Sequence, residues 1–148
     1  MQNMNDTNVA NQNKPKRIMV DMSATLIHHG HIRLLKEAKK LGTVIVALTT
    51  DDEIDTKKGY SSELNFEERR EILEAIKYVD EVVPCNWLVD EAFLDLHNID
   101  LLVHGHDNSN PISPARLLVL PRTEGISSSL LRSRVLKAVA EIMEEKHK

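Results

Sequence analysis

Residues 44–48 read Val-Ile-Val-Ala-Leu, an unbroken apolar run between Gly42 and a polar stretch. Side chains alternate across a strand, so a strand with one wet face would show a polar residue at every second position. An unbroken run instead predicts a strand covered on both faces, the pattern of a parallel sheet sandwiched by helices. Four further short runs fit the same sheet: Arg17–Met22, Glu81–Pro84, Leu101–His104 and Leu117–Leu120.

Helical patterns alternate with these strands. From His31 onward, Leu34, Leu35, Ala38 and Leu41 follow helical spacing, with Arg33, Lys36, Lys39 and Lys40 mostly on the other side. Gly42 is expected to end this helix as a left-handed C-cap. The polar stretch 49–64 reads as a loop. Asn65 then caps a second helix, with Glu68 placed to close a capping box and Ile72, Leu73, Ile76 and Val79 as its buried stripe. Glu91–His97 reads as a short helix. A last helix starts near Ser128, with Leu131, Val135, Ala138 and Ile142 on one face and a fraying end. Alternating strands and helices imply an α/β fold with a doubly wound parallel sheet.

The 148 residues suit one domain, expected over residues 17–148, and the polar residues 1–16 are expected to form a disordered tail. The tail has no apolar stretch of the kind a signal peptide needs, and no run approaches the roughly 20 apolar residues of a membrane span. A net charge of −4 argues against a general nucleic-acid binder, though not against a small anionic substrate. The single Cys85 cannot form an internal disulfide, which fits a reducing, cytoplasmic setting.

Chemistry concentrates at two strand-to-helix junctions, where ligands of such sheets bind. The first, Ile27-His28-His29-Gly30-His31, packs three histidines around one glycine. Helix-start amides and dipole make it an anion site, Gly30 lets a phosphate approach the backbone, and His28 and His31 can donate to one anion. Two other readings stay open. The histidines can be ordinary polar residues at a helix start, or, with the pair His104 and His106, zinc ligands, although the usual zinc spacings are absent. The second junction, Leu120–Ser129 (LPRTEGISSS), offers the planar Arg122 fork, a permissive Gly125, and the hydroxyls of Ser127, Ser128 and Ser129. By itself it also reads as a simple helix cap.

Together, H-x-G-H after the first strand and R-T-E-G-I-S before the last helix resemble the cytidylyltransferases. The likeness is greatest to glycerol-3-phosphate cytidylyltransferase and the catalytic domains of the choline- and ethanolamine-phosphate enzymes. It covers about residues 17–136, and Lys77–Pro84 (KYVDEVVP) also follows the family. The resemblance implies a Rossmann-like, three-layer α/β/α nucleotidyltransferase fold. It implies attack of a substrate phosphate on the α-phosphorus of CTP with loss of pyrophosphate, Mg2+ accompanying the CTP, and a homodimer. By the same likeness His28, His31, Lys58 and Arg122 are catalytic, and His29 is incidental. The nucleotide would be held by Ser23, Ala24, His28, Gly30, His31, Asp107 and the run Arg122, Thr123, Glu124, Gly125, Ile126, Ser127 and Ser128. The acceptor would meet Thr25, Lys58, Arg69, Lys77 and Trp87, with core packing an equal reading for Trp87. No protein-held metal is implied.

The chain also departs from the family. Met22-Ser23-Ala24-Thr25 stands where G-T-F-D is usual. Ser23 keeps the hydroxyl, but Thr25 cannot supply a carboxylate, so that charge is missing or comes from elsewhere. His106 occupies a commonly acidic position, and Lys77 replaces an arginine. The Met-Ser-Ala variant resembles cytidylyltransferases of phosphonate biosynthesis, so the expected acceptor is a small alcohol phosphate or a phosphonate. An ATP-using relative of the same fold and a non-catalytic nucleotide- or metal-binding module remain the alternatives.

Overall fold

The computed structural model describes residues 14–147. The chain runs β1 (Lys16–Met22), α1 (His29–Lys39), β2 (Gly42–Thr49), α2 (Asp51–Lys58), α3 (Phe66–Glu74), β3 (Glu81–Cys85), α4 (Glu91–Leu96), β4 (Leu101–Gly105), β5 (Leu117–Leu120) and α5 (Ser128–Lys146). Every pairing is parallel and the order is β3-β2-β1-β4-β5. The chain winds outward from β1 to β3 and then restarts at β4 on the other side of β1. That reversal opens a crevice beyond the C-terminal ends of β1 and β4.

Alternation along the strands fills two cores. Ile18, Val20, Val44, Val46 and Leu48 face one side, where Leu35 and Ala38 of α1 and Leu73 of α3 cover them. Met19, Ile45, Ala47 and Leu102 face the other, covered by Phe93 and Leu94 of α4 together with Ile99. Both faces of β2 are thus dry, which is why its sequence is unbroken in apolar residues. The sheet is Rossmann-like and lies between helical layers.

Four expectations need correction. Gly42 is not a C-cap: α1 ends at Lys40 in the right-handed region, and Gly42 opens β2. A Cβ there would stand 2.1 Å from the Lys16 carbonyl oxygen, so glycine is required by close strand approach. The supposed loop 49–64 contains α2. Its only buried residue is Ile54, so it shows no stripe; acids in its first turn, Lys57 and Lys58 in its last and Gly59 at φ 74° define it instead. The second helix stops at Glu74, with Ile76 and Val79 packing from the following turns and Ile72 exposed. In α5 no residue is buried, and Val135, Leu136, Val139 and Ile142 are all more than half exposed or close to it. Its apolar face has no cover among the described residues.

The expected tail falls mostly on residues 1–13, outside the described residues, while Lys16 belongs to β1 and pairs with Gly42. The Asn65–Glu68 capping box forms as expected, with bonds of 2.9 and 3.0 Å. Among the described residues no helix is long and apolar enough to cross a membrane.

The two glycines give a contrast that urea unfolding can read. Gly42→Ala meets backbone and should cost roughly 1–3 kcal/mol or more. Gly59→Ala meets open space and should lose only about 1–2 kcal/mol of left-handed strain. Equal losses would show that β1 and β2 shift to accommodate the methyl group.

Candidate active site

The crevice holds a cavity of about 850 Å³. Its wall brings together both junctions singled out in the sequence: Ser23, His28 and His31 from the β1–α1 side, and Arg122, Thr123 and Ser127 from the β5–α5 side. Ala24, Gly30, Ile126 and Ser128 also line it, as do Asp107 beyond β4 and Lys58 and Trp87 on the opposite wall.

The histidines form the start of α1 themselves. His28 is the N-cap, with its Nδ1 accepting from the Gly30 amide at 3.0 Å. His31 returns the bond: its Nδ1 accepts from the His28 amide at 3.1 Å. This is a capping box built from two imidazoles. A ring nitrogen that accepts carries no proton, so each neutral ring keeps its proton on Nε2 as a free donor. The ring centroids are 4.0 Å apart. Burial, then the neighbouring His28, pull the His31 pKa down to about 3 against its own backbone bond. Burial, then His29 and Arg122, lower that of His28. Both rings are therefore neutral donors near pH 7. His29 is exposed and makes no hydrogen bond. Gly30 has a reason beyond phosphate approach: a Cβ would stand 2.8 Å from the His28 ring and 3.2 Å from Ile126.

A zinc reading finds little here. Both Nδ1 atoms are engaged, His106 is exposed and off the wall, and no cluster of three or more candidate ligands occurs among the described residues.

At the second junction Ser127 caps α5 by accepting from the Leu130 amide, and Ser128 Oγ donates to the Leu26 carbonyl at 2.9 Å. That bond ties the two junctions together. Gly125, at φ 77°, turns the chain; it and Glu124 are not on the cavity wall. Arg122 pairs with Asp107 at 3.3 Å, both side chains more than half exposed and free to exchange partners. Ala24 sits at φ 47°, a strained left-handed backbone at the bend after β1.

On the acceptor side the outcome is divided. Lys58 ends α2 with its Nζ 5.7 Å from the Trp87 ring centroid and 5.9 Å from that of Tyr60. Trp87 is a wall residue, half-buried, and outside both cores. Three expected contacts are corrected. Arg69 is wholly buried, bonded to the carbonyls of Leu64, Ser23 and Thr49 and to Asp51, so it shapes the site without facing it. Thr25 is also wholly buried, its hydroxyl 3.3 Å from Arg132 Nη2. Lys77 is exposed ahead of β3, over the Tyr78 ring, at the end of the sheet away from the cavity.

One group escaped the sequence reading. Asp21 of β1 lines the cavity, bonded to His104 Nδ1 at 2.5 Å and to Asn110 Nδ2 at 3.0 Å. Burial opposes charge on His104, but the Asp21 bond and charge, with Asp107 behind, outweigh it and raise its pKa. A carboxylate in the middle of an otherwise apolar strand was the available signal, because it must find a partner when buried.

The two histidines predict opposite pH behaviour. His31 has a folded pKa below the unfolded value, so unfolding binds a proton between pH 6.5 and about 3, and stability falls as pH drops through that window. His104 is raised, so its contribution is full below pH 6.5 and fades as pH climbs through its folded pKa. Urea midpoints from pH 4 to 7 should fall less steeply toward acid in His31→Gln than in the unaltered protein. An identical slope would mean His31 is not held neutral.

Residues 23–134 match the model of the cytidylyltransferase-like family. The chain is 36 % identical over 125 residues to glycerol-3-phosphate cytidylyltransferase of Bacillus subtilis (strain 168), spanning 81 % of this chain and 97 % of that one. It is 34 % identical over 135 residues to ethanolamine-phosphate cytidylyltransferase of Dictyostelium discoideum, spanning 83 % of this chain and 37 % of that protein. Among solved structures, the lipopolysaccharide core biosynthesis protein from Thermoplasma volcanium GSS1 shares the fold, with a TM-score of 0.63 at 20 % identity, over 74 % of this chain and 98 % of that one. Both junctions that form the cavity lie within the matched residues, and the chain belongs to the cytidylyltransferase-like family.

Proposed function

We propose that the protein transfers CMP from CTP to a small phosphate- or phosphonate-bearing acceptor. The observation that carries this reading is the neutral His28–His31 pair facing the Arg122–Ser128 junction across one cavity. An acceptor oxygen attacks the α-phosphorus; its new P–O bond forms as the bond to the β-phosphate oxygen breaks, and pyrophosphate leaves with the electron pair. No covalent enzyme intermediate is needed, so positioning and charge stabilisation supply the catalysis. The Nε2–H donors of His28 and His31 act at the α-phosphate oxygens, and Arg122 leaves Asp107 for the departing phosphates. Lys58 neutralises the approaching acceptor beside Trp87.

Magnesium would be carried by the triphosphate. The carboxylates on the wall are Asp21, Glu37 and Asp107. Asp21 is bonded twice at short range and Glu37 pairs with Lys40 at 2.9 Å. Asp107 has only long, exposed approaches to Arg122 at 3.3 Å and His104 at 3.6 Å, so Asp107 is the carboxylate that would meet the metal. One carboxylate with phosphate and water ligands suits Mg2+.

A homodimer is part of the same proposal, with α5 as its seam. Arg134 and Lys137 lie in the first half of α5 and Glu141, Glu144 and Glu145 in the second, while Arg132 is paired with Glu63 of its own chain. An antiparallel second copy would therefore match charges while covering Val135, Val139 and Ile142. Val139→Glu should halve the mass seen by sedimentation; an unchanged mass would exclude α5 as the seam.

Pyrophosphate release, measured with CTP or ATP against a panel of alcohol phosphates and small phosphonates, tests the reaction. CTP-dependent turnover is expected. ATP-dependent turnover would move the protein to the adenylyl class, and nucleotide binding without turnover would make it a binding module. His28→Ala and His31→Ala should each lower kcat about 10²- to 10³-fold with a smaller effect on CTP affinity. His29→Ala should be nearly silent, and equal losses at all three positions would overturn the assignment.

A further inference from the structure

Lys58 reaches the cavity from the last position of α2, where Gly59 at φ 74° turns the chain into residues 59–65. A lysine side chain is long and flexible, so something must hold its ammonium on the acceptor side. Two aromatic rings bracket it, Tyr60 at 5.9 Å and Trp87 at 5.7 Å. Trp87 is fixed by the end of β3, but Tyr60 lies on the connecting segment, and its position depends on what ties that segment down.

Arg132 of α5 makes that tie. Its Nε and Nη2 donate to the Glu63 carboxylate, the Nη2 bond being 2.8 Å. Its Nη1 donates to the Tyr60 hydroxyl at 3.3 Å, and its guanidinium carbon lies 4.6 Å from the Tyr60 ring centroid. Its Nη2 also reaches Thr25 Oγ1. The other restraints on the segment lie at its ends, away from the Tyr60 ring: the Gly59 amide bond to the Asp55 carbonyl before it, and after it the Ser62 and Arg69 bonds to the Leu64 carbonyl and the Asn65–Glu68 box. Arg132 stands five residues after Ser127, the cap of the junction beside Arg122. One helix thus sets both the nucleotide side of the cavity and the ring beside Lys58.

We propose that Arg132 is a positioning residue for Lys58, acting through Tyr60 and Glu63. The departure at residue 25 belongs to this arrangement. Thr25 accepts a hydrogen bond but carries no charge, so the full charge of Arg132 is answered by Glu63, and the segment is bound to α5. The missing carboxylate is supplied from the connecting segment itself. A partly exposed ion pair of this kind adds little to global stability. Its effect is on where Tyr60 and Lys58 stand.

The proposal rests on the CTP-dependent transfer above, and the test separates the two. Arg132→Gln and Glu63→Gln should each lower kcat about 10-fold while the KM for CTP stays within about 3-fold and the melting temperature hardly moves. Lys58→Ala should lower kcat further, and adding Arg132→Gln to it should cost nothing more, because the second change acts only through the first. Multiplying losses in the double variant would overturn the proposal, as would unchanged kcat in the single variants. The sole tryptophan, Trp87, provides a readout that needs no turnover. Its emission should shift in the same direction in Arg132→Gln as in Lys58→Ala, and an unmoved emission in Arg132→Gln would refute the link. If the unaltered protein turns over no CTP, the functional reading fails while the emission comparison still decides the role of Arg132.

Discussion

Arg69 holds together the end of the sheet on which the cavity depends. A guanidinium with no solvent exposure must have its donors answered inside the protein, and here they are. The Ser23 carbonyl lies just past β1, the Thr49 carbonyl ends β2, Leu64 precedes α3, and Asp51 opens α2. Asp51 uses its other oxygen to accept from the Phe66 amide, which binds the start of α3 to the start of α2. Three stretches of the chain, at Ser23, at Thr49 and Asp51, and at Leu64, are thereby held to one planar group. Removing one partner from such a buried set typically costs about 3–5 kcal/mol, because the remaining groups are left unsatisfied. The strained backbone at Ala24 follows the carbonyl that Arg69 holds, which places the bend where over-determined structure can maintain it.

The protonation state of the histidines has a local cause at the start of α1. A cationic imidazole would attract a triphosphate more strongly, yet both rings are pushed toward neutrality, first by burial and then by neighbouring charge, His28 acting on His31, and His29 and Arg122 on His28. The gain is in geometry. With each Nδ1 occupied by a backbone amide, the rings cannot spin to another tautomer, and the Nε2–H groups are aimed before any ligand arrives. In the proposed transfer, donors preorganised in this way would need no reorganisation as charge moved onto the α-phosphate oxygens, which is where electrostatic catalysis acquires its size. The permanent cations on the wall are Arg33, Lys58 and Arg122.

The sheet was legible because its cause is written locally. Apolar runs such as 44–48 and the Asn65–Glu68 box state burial and termination in the residues themselves. The two junctions were legible for a similar reason, since glycine, histidine and arginine between a strand and a helix restrict the chemistry to few choices. What failed to show depends on partners far along the chain. Helix α2 has one buried residue and is defined by end charges and by Arg69, whose role is set by carbonyls 5 to 46 positions away. A motif position marks Arg69 as important without saying whether it meets a ligand or the backbone. Likewise Thr25 looked like an exposed specificity residue, and only the fold reveals that it is buried under Arg132. Asp21 was hidden in the opposite way, inside a strand read for its apolar neighbours.

Several charges at and near the cavity are already paired: Arg122 with Asp107, His104 with Asp21 and Asp107, and Arg132 with Glu63, while Lys58 and Arg33 on the wall have no ion pair among the described residues. In the proposed function an anionic nucleotide would therefore exchange partners at Arg122 while Lys58 stands ready without a carboxylate partner. Exposed pairs are weak, so Arg122 can leave Asp107 at small cost, whereas the tighter, more buried Asp21–His104 pair resists such exchange. The freed Asp107 carboxylate then stands next to phosphate oxygens, an unfavourable arrangement unless a cation lies between them. That electrostatic requirement agrees with the proposal that magnesium would arrive with the nucleotide: Asp107, the partner of Arg122 in the unliganded site, would then be the carboxylate placed to meet the metal.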